Sequence, residues 1–76
     1  MDRRRTGLTE REISIVQLTA AGESAKEAAF KLDIAPRTVE KHLDNSRLKM
    51  GARNTPHLIA ICIATGLVEP AVDCAA

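Results

Sequence analysis

Helix boundaries recur at close intervals along this chain, and they constrain its fold more than any other feature. Thr9 and Glu12 form a capping-box pattern, in which the threonine oxygen takes an orphan N–H and the glutamate reaches back to the cap. Ser24 and Glu27 repeat it, and Gly22 just before them fits the left-handed position that ends a helix. Pro36 has a φ suited to a first helical turn and follows Leu32 after only Asp33-Ile34-Ala35. Asp33 stands in that turn where glycine is easier, although Asp tolerates a left-handed backbone better than most residues. Gly51 and Gly66 mark two later ends, and Thr55 with Pro56 marks a later start, Thr55 as the cap. The chain therefore reads as an all-α four-helix bundle with helices over about 10–21, Ala25–Leu32, Pro36–Met50 and 56–65.

The apolar positions fit these segments. Ile13, Val16 and Ala20 follow the i, i+3, i+7 spacing of one helix face. Ala28, Ala29 and Leu32 let the short second helix pack closely, with Phe30 either in the core or at its edge. On the third helix Val39, Leu43, Ser46 and Met50 form one stripe, and Arg37, Lys41, Asp44 and Asn45 project from the other side. The fourth helix is apolar all round from Leu58 to Ala64. A helix apolar on every side is buried on every side, and a chain of 76 residues has few other helices to cover it. Some of Leu58, Ile61 and Thr65 are therefore expected to face a partner, and these three are the candidate dimer contacts. An isologous pair of fourth helices gives a twofold dimer. Leu67 and Val68 are expected to fold back onto the core.

Composition excludes several classes. Apolar residues make up 45% of the chain, which suits a globular domain. Phe30 is the only aromatic residue, so no platform for stacking bases exists. The two cysteines, Cys62 and Cys74, have no metal-ligand spacing, and Cys62 reads as a small core residue rather than a redox switch. No secretory signal is legible at Met1, and the longest apolar run is far short of a membrane span. The expected setting is cytoplasmic, with reduced thiols.

The net charge is +1, but its distribution is uneven. Residues 1–34 balance. Residues 35–54 carry Arg37, Lys41, Arg47, Lys49 and Arg53 against Glu40 and Asp44, a balance of +3, and residues 55–76 carry −2. A short helix, a three-residue turn and a longer basic helix form a helix-turn-helix pattern. The second helix of such a pair fits the DNA major groove, and counterion release favours its positive charge there.

The motifs also resemble a known family. Leu8-Thr9-Glu10-Arg11-Glu12, Gly22-Glu23-Ser24-Ala25-Lys26-Glu27, Thr38-Val39-Glu40-Lys41-His42-Leu43, Leu48-Lys49-Met50-Gly51-Ala52-Arg53-Asn54 and Gly66-Leu67-Val68 occur in the order of a LuxR/GerE-type DNA-binding domain. The Thr38–Leu43 run is most similar to the quorum-sensing branch. The resemblance implies a four-helix fold, major-groove reading by the third helix and dimerisation through the fourth. It divides the chain into a basic arm (1–7), the domain (8–69) and a tail (70–76). Ala35 departs from the family's serine N-cap, Asp33 from its turn glycine, and Ser46 from a larger core residue. With only a short basic arm ahead of the motif, the expectation is a member of the stand-alone kind, without a sensor domain.

Within this frame Lys41 is the first candidate for base contact, since lysine can bond guanine O6 and N7. Glu40 and Asp44 lie close to it and either accept from cytosine N4 or repel phosphate. Arg37, Thr38, His42 and Arg47 are candidates for phosphate contact, joined by Lys26 and Ser24 at the start of the second helix. Three of these have a second reading: Thr38 and Ser24 as caps, and His42 as a packed side chain. Lys49 either touches the DNA backbone or pairs with a carboxylate of the first helix. Arg53 is a further backbone candidate, and Arg3-Arg4-Arg5 is either a DNA-binding arm or a solubilising tail. Leu48 is apolar on the exposed face and has no assigned role.

The leading expectation is a bacterial transcriptional regulator that binds double-stranded DNA as a homodimer and contacts or blocks RNA polymerase. The alternative is an interaction module that pairs with full-length LuxR-type regulators and inhibits them. No catalytic group, cofactor, metal site, small-molecule site or membrane partner is legible, so an enzyme is not expected.

Overall fold

A computed structural model describes residues 7–69. They form α1 (Glu10–Ala20), α2 (Ala25–Leu32), α3 (Pro36–Met50) and α4 (Thr55–Ala64), with no strand among the described residues. Most of the expected arm (residues 1–6), the expected tail (70–76) and Cys74 lie outside this range.

The helix starts follow local chemistry. In α1 the Thr9 hydroxyl accepts from Glu12 N at 3.1 Å, and Glu12 Oε1 accepts from Thr9 N at 2.9 Å. In α2 the Ser24 hydroxyl accepts from Glu27 N at 3.1 Å, and Glu27 Oε1 accepts from Ser24 N at 2.7 Å. Those bonds hold the Glu27 carboxyl below its ordinary pKa. The start of α4 differs from expectation by one residue. Asn54, not Thr55, is the cap, its Oδ1 accepting from His57 N at 2.9 Å. Asparagine is among the strongest N-caps, and moving the start upstream leaves Pro56 in the first turn, where no N–H is required. Ala35 has the extended backbone of an N-cap (φ −76, ψ 146) but no side-chain oxygen to complete it.

All four helices end in the same way. The amides of Glu23, Ile34, Ala52 and Leu67 each reach back five residues, to the carbonyls of Leu18, Ala29, Arg47 and Cys62. Each bond closes a Schellman motif around a left-handed residue. That residue is glycine in α1, α3 and α4, but in α2 it is Asp33, at φ 58. This tight closure limits the α2–α3 connection to three residues.

The core forms on both sides of α1. Ile13 and Val16 join Leu8, Leu58, Cys62, Leu67 and Val68 on one side. Ile15 joins Ala28, Ala29 and Val39 on the other, and Leu43 packs against both groups. Ala28 and Ala29 are buried, and their small size lets α2 lie close to its neighbours. Gln17 secures the C-terminal segment: its Nε2 donates to Glu69 O at 3.1 Å and its Oε1 accepts from Glu69 N at 3.0 Å. Leu67 and Val68 are thereby folded onto the core as expected.

Two expectations are overturned here. Phe30 is 88% exposed, neither in the core nor at its edge. At ~100° per residue it points roughly 150° away from the midpoint of Ala28 and Ala29, which face inward. Leu58 is fully buried against the chain's own core, so it cannot contact a second chain. The helices α1 and α3 and the returning Leu67-Val68 segment cover more of α4 than its all-round apolarity suggested. Ile61 and Thr65 remain half-buried, and His57, Ala60 and Ala64 are exposed.

The turn geometry yields a stability prediction. Asp33→Gly relieves a left-handed non-glycine residue, and Ala35→Ser supplies the missing cap. Each is expected to raise unfolding stability by about 1 kcal/mol, read as a higher urea midpoint at unchanged slope.

Candidate nucleic-acid interface

The outer face of α3 is defined by what its inner face buries. Val39 and Ser46 are fully buried and Leu43 and Met50 half-buried, so the opposite stripe must face solvent. Arg37, Lys41, Asp44 and Asn45 are all exposed there, and Glu40 is exposed on the flank beside them. Neither Arg37 nor Lys41 has an ion-pair partner among the described residues. Ser46 satisfies its buried hydroxyl by donating to His42 O at 2.7 Å. This in-helix bond explains how a polar residue occupies a core position.

The remaining candidates divide by their partners. Thr38 is half-buried beside the start of α3. Arg47 donates from one terminal nitrogen to Asp44 Oδ1 at 3.1 Å, so these opposite charges are joined on the helix surface. Lys26 is exposed near the start of α2, and Ser24, also exposed, is engaged in its capping box. Arg53 lies in the α3–α4 connection, where its backbone N–H donates to His57 Nδ1 at 3.0 Å.

Glu12 ties this surface to the scaffold, a role that its capping-box pattern did not reveal. Its side chain is only 4% exposed. Oε1 accepts from Lys49 Nζ at 2.8 Å as well as from Thr9 N, and Oε2 lies 3.8 Å from His42 Nδ1. His42 and Lys49 are seven residues apart on α3, two helical turns along one side. One α1 carboxylate therefore engages α3 at two heights. For Lys49 the α1-carboxylate reading holds, and His42 lies against the same group. Burial pushes the Glu12 carboxyl up, but the Lys49 and Thr9 hydrogen bonds and the Lys49 and His42 charges outweigh it. The net result is a pKa below the ordinary value.

Other chemistry is sparse. Cys62 is free and buried, and burial pushes its thiol pKa up, which fits a small core residue. No group of three His, Cys, Asp or Glu side chains among the described residues could hold a metal ion. No helix among them is long and apolar enough to cross a membrane.

A short bracing helix, a three-residue turn and a longer helix with a charged outer stripe define a helix-turn-helix domain of the DNA-binding, transcription-regulating class. The chain belongs to the luxR family of bacterial regulatory proteins, whose GerE model matches residues 6–62. It is similar to the transcriptional regulatory protein FixJ of Rhizobium meliloti, at 44% identity over 59 residues, covering 78% of this chain and 29% of that protein. The transcriptional activator protein BjaR1 of Bradyrhizobium diazoefficiens is 37% identical over 65 residues, covering 86% of this chain and 27% of that protein. The oxygen regulatory protein NreC of Staphylococcus aureus is 36% identical over 62 residues, covering 82% of this chain and 29% of that protein. The chain thus spans less than a third of the length of these relatives.

The Glu12 contacts predict a pH-dependent stability. Glu12→Gln keeps an acceptor for Thr9 N but offers Lys49 no charge, and at neutral pH it is expected to cost about 1–3 kcal/mol. A carboxylate with a depressed folded-state pKa stabilises above its ordinary titration range, and that stability is lost as pH falls through the folded value. The gap between wild type and variant should therefore narrow as pH falls below the ordinary carboxylate range, as measured by urea titrations at a series of pH values.

Proposed function

We propose that this domain binds double-stranded DNA as a transcription regulator, with α3 in the major groove and two copies pairing through α4. The observation that carries this reading is the exposed stripe of Arg37, Lys41, Asp44 and Asn45 on the face of α3 opposite its buried stripe, with Glu40 exposed on its flank. Lys41 is the first base-reading residue, with Glu40 and Asp44 beside it. Arg37, Thr38, Lys26 and Ser24 contact phosphate and fix the register without specifying sequence. Arg47 joins them on leaving Asp44. His42 serves chiefly to seat α3 against α1.

The charge distribution favours a dimer. Lys49 and Arg47 already have internal carboxylate partners, so one copy presents fewer cations than its sequence suggests. A second copy doubles the exposed set. On α4, His57, Ala60, Ile61 and Ala64 follow the i, i+3, i+4, i+7 spacing of one face, and its small side chains allow close helix approach. Ile61 and Thr65 remain in the proposed contact, whereas Leu58 does not. A twofold pair would place its recognition helices about 34 Å apart, matching an inverted repeat. Bound there, it would contact RNA polymerase or block it.

Fluorescence anisotropy on a duplex selected from a random pool tests the DNA reading. Affinity is expected to fall steeply with salt. Arg37→Ala should flatten the log–log slope by about 0.9 per half-site, the value for one phosphate contact. Lys49→Ala should leave the slope unchanged because its charge is already paired. Lys41→Ala should relax preference at one base position, at about 1–3 kcal/mol. An absence of DNA binding even at low salt would defeat this reading and favour pairing with another regulator.

Light scattering tests the dimer. Wild type should approach twice the chain mass with rising concentration, and Ile61→Glu should remain monomeric with its helical signal intact. A wild type that stays monomeric at high concentration would exclude the α4 pairing.

A further inference from the structure

Leu48 is 82% exposed near the end of α3. Its direction is informative. At ~100° per residue it lies roughly 20° from both Lys41 and Arg37 around the helix, and roughly 40° from Asp44. Arg37, Lys41, Asp44 and Leu48 thus occupy the outer stripe at i, i+4, i+7 and i+11. The buried stripe of Val39, Leu43, Ser46 and Met50 repeats this spacing on the opposite side. Leu48 is therefore on the face proposed to meet DNA, and it is the apolar member of its stripe.

The surroundings of Leu48 indicate what it can contact. Arg47 and Lys49 are its neighbours in sequence, and Asp44 and Asn45 lie one turn earlier. The apolar surface is therefore about one side chain wide within a polar and charged field. A protein partner needs a contiguous apolar area of hundreds of Å², which this position does not provide. A single methyl group needs only one side chain. In the major groove that methyl is the 5-methyl of thymine, which apolar side chains contact directly.

We propose that Leu48 is a specificity-determining residue that selects thymine through its 5-methyl group, an inference that rests on the DNA-binding reading. Seven residues separate it from Lys41, about 10 Å along the helix axis. The helix lies along the inclined groove rather than the duplex axis, so the selected thymine lies within a few base pairs of the base read by Lys41, towards the C-terminal end of α3. Arg37 and Lys41 hold the helix near the polyanion, and Leu48 adds a contact that salt does not screen.

The experiment removes the methyl from the DNA and the side chain from the protein. The chain selects duplexes from a random pool, and each thymine of the selected site is replaced in turn by deoxyuridine, which lacks only the 5-methyl. At one thymine per half-site the wild type is expected to bind the uracil duplex about three- to fivefold more weakly, the worth of one buried methyl. Leu48→Ala should bind thymine and uracil duplexes equally at that position. Its melting temperature should match wild type, since the side chain buries little surface, so lost affinity would not reflect unfolding.

Three results would overturn the inference. The first is a Leu48→Ala variant that retains the wild-type methyl preference at every thymine. The second is a variant that weakens binding to thymine and uracil duplexes alike and shifts the mass seen by light scattering, which marks Leu48 as a contact between proteins. The third is a selection that yields no preferred sequence at all, in which case the base-reading proposal falls with it. The first two results leave DNA binding intact, so failure of this contact is distinguishable from failure of the broader reading.

Discussion

The buried carboxylate of Glu12 is the interaction on which the functional surface depends. It belongs to α1, the helix with core on both sides, and it closes the capping box that starts that helix. The same group holds Lys49 and faces His42 on α3. Apolar packing alone leaves a helix some freedom to rotate and slide. A charge-assisted hydrogen bond from a nearly buried acceptor is directional and removes much of that freedom. The direction in which Arg37, Lys41 and Asp44 point is therefore referenced to α1. Local capping, interhelical packing and the presentation of a charged stripe meet at one side chain.

This anchoring also changes the meaning of the chain's charge. The net value of +1 conceals a +3 segment over residues 35–54, yet that segment is not all available to a partner. Lys49 is neutralised by α1, and Arg47 by Asp44 one turn away. Arg37 and Lys41 are left on the outer stripe. In the proposed dimer, doubling the cations would steepen the electrostatic term without making each copy bind any polyanion strongly. The outward face of α4, with Ala60, Ile61 and Ala64, offers a surface for such pairing. Leu58 is already committed to the core.

Features governed by short-range bonds were legible in the sequence. Both capping boxes involve residues three apart, and each helix end involves a left-handed residue with bonds reaching back three and five residues. These bonds are set by the chemistry of Thr9, Ser24, Gly22 and Gly51, which requires no knowledge of the rest of the chain. They mark the start and end of α1, the start of α2 and the end of α3. The shift from Thr55 to Asn54 is the one boundary where two adjacent capping residues compete, and asparagine prevails. The stripe of α3 was legible for a related reason, since its buried and exposed positions separate cleanly around the helix.

What tertiary structure decided lies beyond that range. Glu12 and Lys49 are 37 residues apart, and Gln17 and Glu69 are 52 apart. No local pattern matches one surface charge among several to its partner. Phe30 is apolar, yet α2 packs by the side occupied by Ala28 and Ala29, so the aromatic ring on the far side stays in solvent. Leu58 and Ile61 look equivalent on an all-apolar helix. Only the placement of α1 and the return of Leu67 and Val68 distinguish them, burying the first fully and leaving the second partly open. Periodicity states that a residue can be buried, whereas the number of neighbouring elements and their arrangement determine whether it is.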